Sequence, residues 1–233
     1  MQSWPDKLGI HSGFSSYALR GLISSIMRFM SLKTHWEHIY QTKVPTQVSW
    51  YQEHALQSLQ LIANTDIPKT AQIIDVGGGP SALVGDLLSN GYQHITVLDI
   101  SAASLEAARQ RLGLRANKVT WLEADILQTK LSHYHYDLWH DRAVFHFLTN
   151  SEDRKRYVNA VREAVKPGGH VIVATFASDG PERCSGLSVV RYEPESLHNE
   201  FGDGFTLLDS AHEVHQTPFG TEQKFIYCYC RKA

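Results

Sequence analysis

From Ala71 onward, short runs rich in β-branched residues alternate with segments whose apolar positions recur every three to four residues. That alternation predicts a parallel sheet with helices on both faces. The run QIIDV (72–76) is the first strand and stops at a glycine cluster. Leu83, Val84, Leu87 and Leu88 then share one side of a helix that Gly91 terminates. HITVLD (94–99) is the second strand, after which Ser101 caps a helix carrying Leu105, Ala108 and Leu112. VTWLEAD (119–125) and YDLWHD (136–141) are the third and fourth strands. Ser151 opens a helix with Tyr157, Val158, Val161 and Val165 inward, which Pro167-Gly168-Gly169 is expected to end before the strand 170–177. Two longer strand patterns, 205–215 and 223–230, close the chain as an antiparallel hairpin joined through Pro218-Phe219-Gly220.

The sequence before this pattern divides in two. Residues 1–32 read as an N-terminal extension, with Phe14, Tyr17, Ala18, Leu22, Ile26 and Met30 near helical spacing and Arg20 and Arg28 between them. Frequent Ser and Arg with Asp6 as the only acid leave a targeting peptide open, but no clear cleavage site follows, so it is read as a segment that packs on the domain or frays. Residues 33–233 form the domain proper, entered by the helix HWEHIYQTK (35–43) and a turn at Pro45. Trp36 and Tyr40 share a face of that helix, and Trp50 follows the turn.

At 233 residues and 42% hydrophobic composition the chain suits one good-sized core. A net charge of -2 with no Lys/Arg stripe speaks against nucleic acid as partner. No apolar run approaches the roughly 18 residues needed to span a bilayer, so no membrane association is expected. Cys184, Cys228 and Cys230 are too few for a disulfide framework and read as reduced thiols of a cytoplasmic protein. The thirteen histidines, including His133, His135 and His140, lack zinc-site spacing, so no metal is expected.

The first strand runs into Asp75-Val76-Gly77-Gly78-Gly79-Pro80-Ser81, where glycines let a ligand approach the backbone. Gly77, Gly79 and Ala82 satisfy the G-x-G-x-x-G/A spacing of dinucleotide-binding proteins, and Asp99 stands about 20 residues on. By itself this leaves a nicotinamide-dependent dehydrogenase open. Three acids at successive strand ends (Asp75, Asp99 and Asp125) and the closing hairpin add a further pattern.

In these features the sequence resembles the class I S-adenosylmethionine-dependent methyltransferases. The resemblance implies a doubly wound, mostly parallel seven-stranded α/β sheet with a reversed last strand, and S-adenosyl-L-methionine as cofactor. It implies that Asp75, Gly77 and Gly79 hold the loop and the methionine end, with Gly79 leaving room for the ligand. Asp99, beside Ile100, would meet the ribose hydroxyls, and Asp125 and Ile126 the adenine. Trp36, Tyr40 and Trp50 look like an entry segment that closes over the cofactor, although core packing explains them equally well.

The acceptor is expected beyond the fourth strand. His140 and Asp141 are the candidate proton acceptors, with His140 also near the cofactor; Arg142 and Cys184 are the candidate substrate contacts. Asp141 and Arg142 can equally pair with each other, and His146 reads as a buried, satisfied histidine. The loop Ser178–Leu187, punctuated by glycine and proline, is long enough to cover the pocket mouth. These features favour methyl transfer to a small soluble nucleophile, a thiol or an amine. The alternatives are a protein-lysine N-methyltransferase and a non-catalytic cofactor-binding module.

Overall fold

A computed structural model describes residues 32–233. The expected amphipathic pattern from Phe14 to Met30 lies outside the described residues. Helix α1 covers 32–42, and α2 is Leu56–Ala63. Then β1 (Gln72–Val76), α3 (Leu83–Ser89), β2 (His94–Asp99), α4 (Ala102–Leu112), β3 (Val119–Glu123) and β4 (Tyr136–Arg142) follow in strand-helix alternation. Helix α5 is Ser151–Ala164 and β5 is Val165–Phe176; the short strands β6 (Arg183–Cys184) and β7 (Leu187–Ser188) precede α6 (Pro194–Phe201). The chain closes with β8 (Phe205–Gln216) and β9 (Glu222–Lys232).

Seven strands form one sheet in the order β3-β2-β1-β4-β5-β9-β8. The first five are mutually parallel, and β9 runs antiparallel to both β5 and β8. The doubly wound sheet with a reversed last strand is thus present. Successive strand residues point to opposite faces, which gives the sheet two cores. Ile74, Trp139 and Val173 pack under α5 and α6 with Tyr157, Val161 and Leu197. Ile73, Leu138 and Ile172 pack on the other face with Leu61 of α2, Leu83 of α3 and Leu105 of α4.

Two boundaries differ from the sequence expectation. Helix α5 ends at Ala164, not at Pro167-Gly168-Gly169, because Val165 is already extended and pairs with Tyr136. The carbonyls of Glu163 and Ala164 are taken by the N–H groups of Tyr134 and His135, at 2.9 and 2.8 Å. The pairing then skips from Tyr136↔Val165 to Leu138↔His170, so the Pro-Gly-Gly segment bulges out of β5. Strand β3 stops at Glu123, two residues early, since the Asp125 side chain turns the chain by accepting from Leu127 N–H at 2.9 Å. Among the described residues no helix is long and apolar enough to cross a membrane.

Candidate active site

Strand order reverses between β1 and β4, and doubly wound sheets open a ligand crevice beyond the carboxyl ends of the strands at such a point. Gly77 leaves β1 with φ +70°, its N–H donating to the Leu98 carbonyl at 2.6 Å. A Cβ at this position would lie 2.0 Å from Val144 Cγ2. Conformation and space both demand glycine here. Gly79 faces elsewhere: a Cβ on it would fall 2.2 Å from Ser104 Oγ and 2.7 Å from Asp99 Oδ2. Gly79 therefore makes room for Asp99 and Ser104 rather than for a ligand, which corrects the sequence expectation.

Asp99, at the end of β2, accepts from Gly79 N–H at 3.1 Å and from Ser101 N–H at 2.9 Å. Burial pushes its carboxyl up to about 6, against the pull of hydrogen bonds from Ser101, Ser104 and Gly79. Asp125 is held locally by Leu127 N–H and by Gln128 Nε2, the latter at 2.8 Å. Gly77, Asp99, Ile100, Asp125 and Ile126 line one side of a cavity of about 150 Å³. The helix α1 and the turn after it supply the opposite wall. Trp36 stacks on Tyr40 with ring centroids 6.0 Å apart and meets Trp50 edge-on at 5.7 Å. All three aromatics line the cavity.

Asp75 and His140 do not line it. His140 is 2% exposed, with Nδ1 2.7 Å from Asp75 Oδ1 and Nε2 2.9 Å from Ser58 Oγ of α2. Asp141 is fully buried on the other face. It accepts from Val144 N–H at 2.8 Å, Phe145 N–H at 3.0 Å and the Tyr157 hydroxyl. Burial pushes the Asp141 carboxyl up to about 6, and those three donors, with His140, oppose it. Neither expected base lines the cavity: β4 runs one residue further than expected, and Arg142 is the side chain that reaches it. Asp141 clamps the turn in which Ala143 adopts φ +75°, a conformation costly for any side chain, and so fixes Val144 against Gly77.

Arg142 does not pair with Asp141. Its Nη2 lies 3.0 Å from Glu213 Oε2, its Nε donates to the Tyr227 hydroxyl at 3.0 Å, and the guanidinium covers Phe225 at 3.9 Å. Cys184 also lines the cavity, and burial pushes its thiol up to about 12, so it stays protonated at neutral pH. The segment that contains it is a pinned hairpin rather than an open loop. Ser185 and Gly186, at φ +51° and +79°, form the two-residue turn between β6 and β7.

His146 is buried, but both its ring nitrogens lack partners among the described residues, contrary to the expectation of a satisfied histidine. Burial, with the nearby Arg142 charge, pushes it down to about 3 and keeps it neutral. Sequence reasoning missed Phe147, which meets Trp36 at 5.3 Å, and Gln223 and Phe225, which line the cavity from the start of β9. The i, i+2 spacing of the last two, on a strand antiparallel to β5, was the signal available. Gln223 donates through Nε2 to Ser49 Oγ at 3.2 Å, and its Oε1 is buried without a partner among the described residues.

Residues 73–169 match the methyltransferase domain family. The chain is similar to human EEF1A lysine methyltransferase 2, 24% identical over 196 residues that cover 77% of this chain and 76% of the relative. Among solved structures it is similar to the protein described under conversion of a disulfide bond into a thioacetal group during echinomycin biosynthesis. That likeness has a TM-score of 0.71 at 16% identity and covers 86% of this chain and 92% of the other. Burkholderia thailandensis 1,6-didemethyltoxoflavin-N1-methyltransferase, solved with S-adenosylhomocysteine, gives a TM-score of 0.62 at 18% identity and covers 94% and 91%. The methyltransferase-domain match over residues 73–169, with the seven-stranded sheet, glycine turn and strand-end acids, supports a methyltransferase that uses S-adenosylmethionine as methyl donor.

Proposed function

We propose that this methyltransferase acts on an amine nitrogen of a compact acceptor. The observation that carries this reading is Gln223 Oε1, a buried acceptor oxygen in the cavity wall without a donor among the described residues. Leaving such a group unsatisfied costs about 1–3 kcal/mol, which a substrate N–H recovers. Among the described lining residues the cation Arg142 is matched by Glu213, so no uncompensated positive charge opposes a basic acceptor.

The residues present fit the cofactor. Asp99 suits the ribose hydroxyls, Asp125 with Ile126 the adenine, and Gly77 the close approach of the methionine end. Asp75 Oδ2, buried beneath the glycine turn without a donor among the described residues, suits a water-mediated contact to the ammonium. Trp36, Tyr40 and Trp50 close the opposite wall. When bound, S-adenosylmethionine supplies a sulfonium-activated methyl group, so the protein contributes mainly alignment and exclusion of water. With His140 and Asp141 turned away, an acceptor ammonium gives its proton to water before it settles. Gln223 Oε1 then accepts one N–H and leaves the lone pair free.

The aromatic wall and the β6–β7 hairpin shelter the cavity, which favours a small molecule. A second reading, a protein lysine, is favoured by the sequence similarity to human EEF1A lysine methyltransferase 2. The three buried, unpaired cysteines support a reducing, cytoplasmic setting. Incubating the enzyme with methyl-labelled cofactor and lysate tests the assignment. Label on nitrogen in the low-mass fraction is the expected result, and a single labelled protein band would select the lysine reading. Label on sulfur would overturn both.

A further inference from the structure

Helix α1 carries the aromatic wall, and a carboxylate in its middle ties it to the body of the domain. Glu37 Oε1 accepts from Ala102 N–H at 2.7 Å; its Oε2 accepts from Ala103 N–H and from the Ser101 hydroxyl, both at 3.1 Å. Ala102 and Ala103 open α4, and the first N–H groups of a helix have no partner within it. Ser101 spends its own oxygen on Ser104 N–H at 3.1 Å, so the two remaining donors are met by a residue 65 and 66 positions away. The charge also sits at the positive end of the α4 dipole.

We propose that Glu37 is a positioning residue that latches the aromatic wall of the cavity to the cofactor acid. The contacts are continuous: Glu37 holds Ser101, the Ser101 N–H donates to Asp99 Oδ1, and Asp99 Oδ2 holds Gly79. On α1 the same carboxylate is flanked by Trp36 and Tyr40, both cavity-lining. Closing the wall and fixing Asp99 are therefore one event. A second charged tie between α1 and the sheet among the described residues, Lys33 with Glu123, has side chains 35% and 43% exposed and is screened by water. The latch makes no contact with the acceptor side, so the inference stands whether the acceptor is a small amine or a lysine.

Two variants approach the latch from opposite sides. Glu37→Gln keeps the shape and removes the charge. Ala102→Pro removes the N–H that Glu37 grips at 2.7 Å, at the first helical position where proline is favoured, and after a Ser101 already extended at φ -101°, ψ 121°. Each should weaken S-adenosylhomocysteine binding about tenfold by calorimetric titration, given the strength of charge-assisted hydrogen bonds. Each should also speed hydrogen exchange of the amides 33–42. The double variant should bind no worse than the weaker single one, because both cut the same link. An unchanged dissociation constant in either variant would overturn the latch, even with a lowered melting temperature, since that is what a plain helix cap gives. Weaker binding without faster exchange over 33–42, or losses that multiply in the double variant, would overturn it too.

Discussion

The two ends of the cavity are built on opposite principles. At the β2–β3 end the polar groups are carboxylates gripped by nearby backbone N–H groups, Asp99 by Gly79 and Ser101, Asp125 by Leu127. At the β4–β9 end the polar groups are side chains paired over long sequence distances, as Arg142 is with Glu213, or left without partners among the described residues, as Gln223 Oε1 and His146 are. Gripping by backbone N–H groups fixes an acid rigidly before a ligand arrives, which suits recognition of one invariant cofactor. Unpaired groups cost stability until a ligand pairs them, which suits discrimination between acceptors.

The largest break is expected at the gripped end. On the proposed assignment Asp99→Ala removes the acceptor for two ribose hydroxyls, each charge-assisted bond worth about 1.5–3 kcal/mol, so S-adenosylhomocysteine affinity should fall by about a hundredfold or more. The variant also frees the N–H groups of Gly79 and Ser101, so its melting temperature should drop, unlike that of a simple open-surface acid. Titration calorimetry paired with thermal unfolding reads both. An intact dissociation constant would remove Asp99 from the cofactor site.

Next in size is a test of the correction at β4. His140→Ala strips the buried Asp75 of its partner and leaves Ser58 Oγ unmatched, at a cost of about 3 kcal/mol or more in folding free energy. At saturating cofactor, turnover per folded molecule should change little because His140 does not reach the cavity, while cofactor affinity should fall because Asp75 loses the partner that orients it. Denaturant unfolding with kinetics corrected for the folded fraction separates the two. Lost turnover at normal stability would return His140 to the chemistry.

That correction marks where the sequence stopped being legible. The strand ends, the glycine turn and the three acids were readable because they depend on periodicity and on neighbours within a few residues. What β4 does depends on both faces of a central strand. His140 points with Leu138 toward α2 and meets Ser58, 82 residues away, whereas Asp141 points with Trp139 toward α5 and meets Tyr157. No local pattern distinguishes a polar residue at the strand's edge from one a single position short of it. Glu37 and Gln223 escaped notice for the same reason, their meaning residing in Ala102 and in Ser49.

A smaller effect sharpens the acceptor end. Gln223→Leu deletes the orphan oxygen, so stability should move by less than about 1 kcal/mol, the lost bond to Ser49 being offset by relief of an unsatisfied group. Acceptor kcat/KM should fall about tenfold while S-adenosylhomocysteine affinity holds. Steady-state kinetics with the acceptor found in lysate provide the check. Equal losses in cofactor and acceptor binding would mean that Gln223 shapes the whole cavity rather than one end.

The smallest effect is a pH dependence that only the gripped end should show. Burial raises the Asp99 carboxyl to about 6, from 3.8, in the folded protein. Because the folded value lies above the unfolded one, the native state binds the proton more tightly. The Asp99 contribution to stability is therefore highest below about 4 and declines as pH rises toward 6. Binding has the opposite sign: in the proposed site ribose hydroxyls would donate to the ionised form, so cofactor affinity should climb with pH and level off above about 6, at most about tenfold per unit below it. Asp99→Asn does not titrate, and the difference between wild type and this variant isolates the group from every other carboxylate. Calorimetry from pH 5 to 8 should give a sloping difference below about 6 and a flat one above, with denaturant unfolding showing the reverse slope over about 4 to 6. A binding difference that is flat across the whole range would mean that the cofactor leaves Asp99 protonation untouched, and the acid would then serve only to brace Gly79 and Ser101.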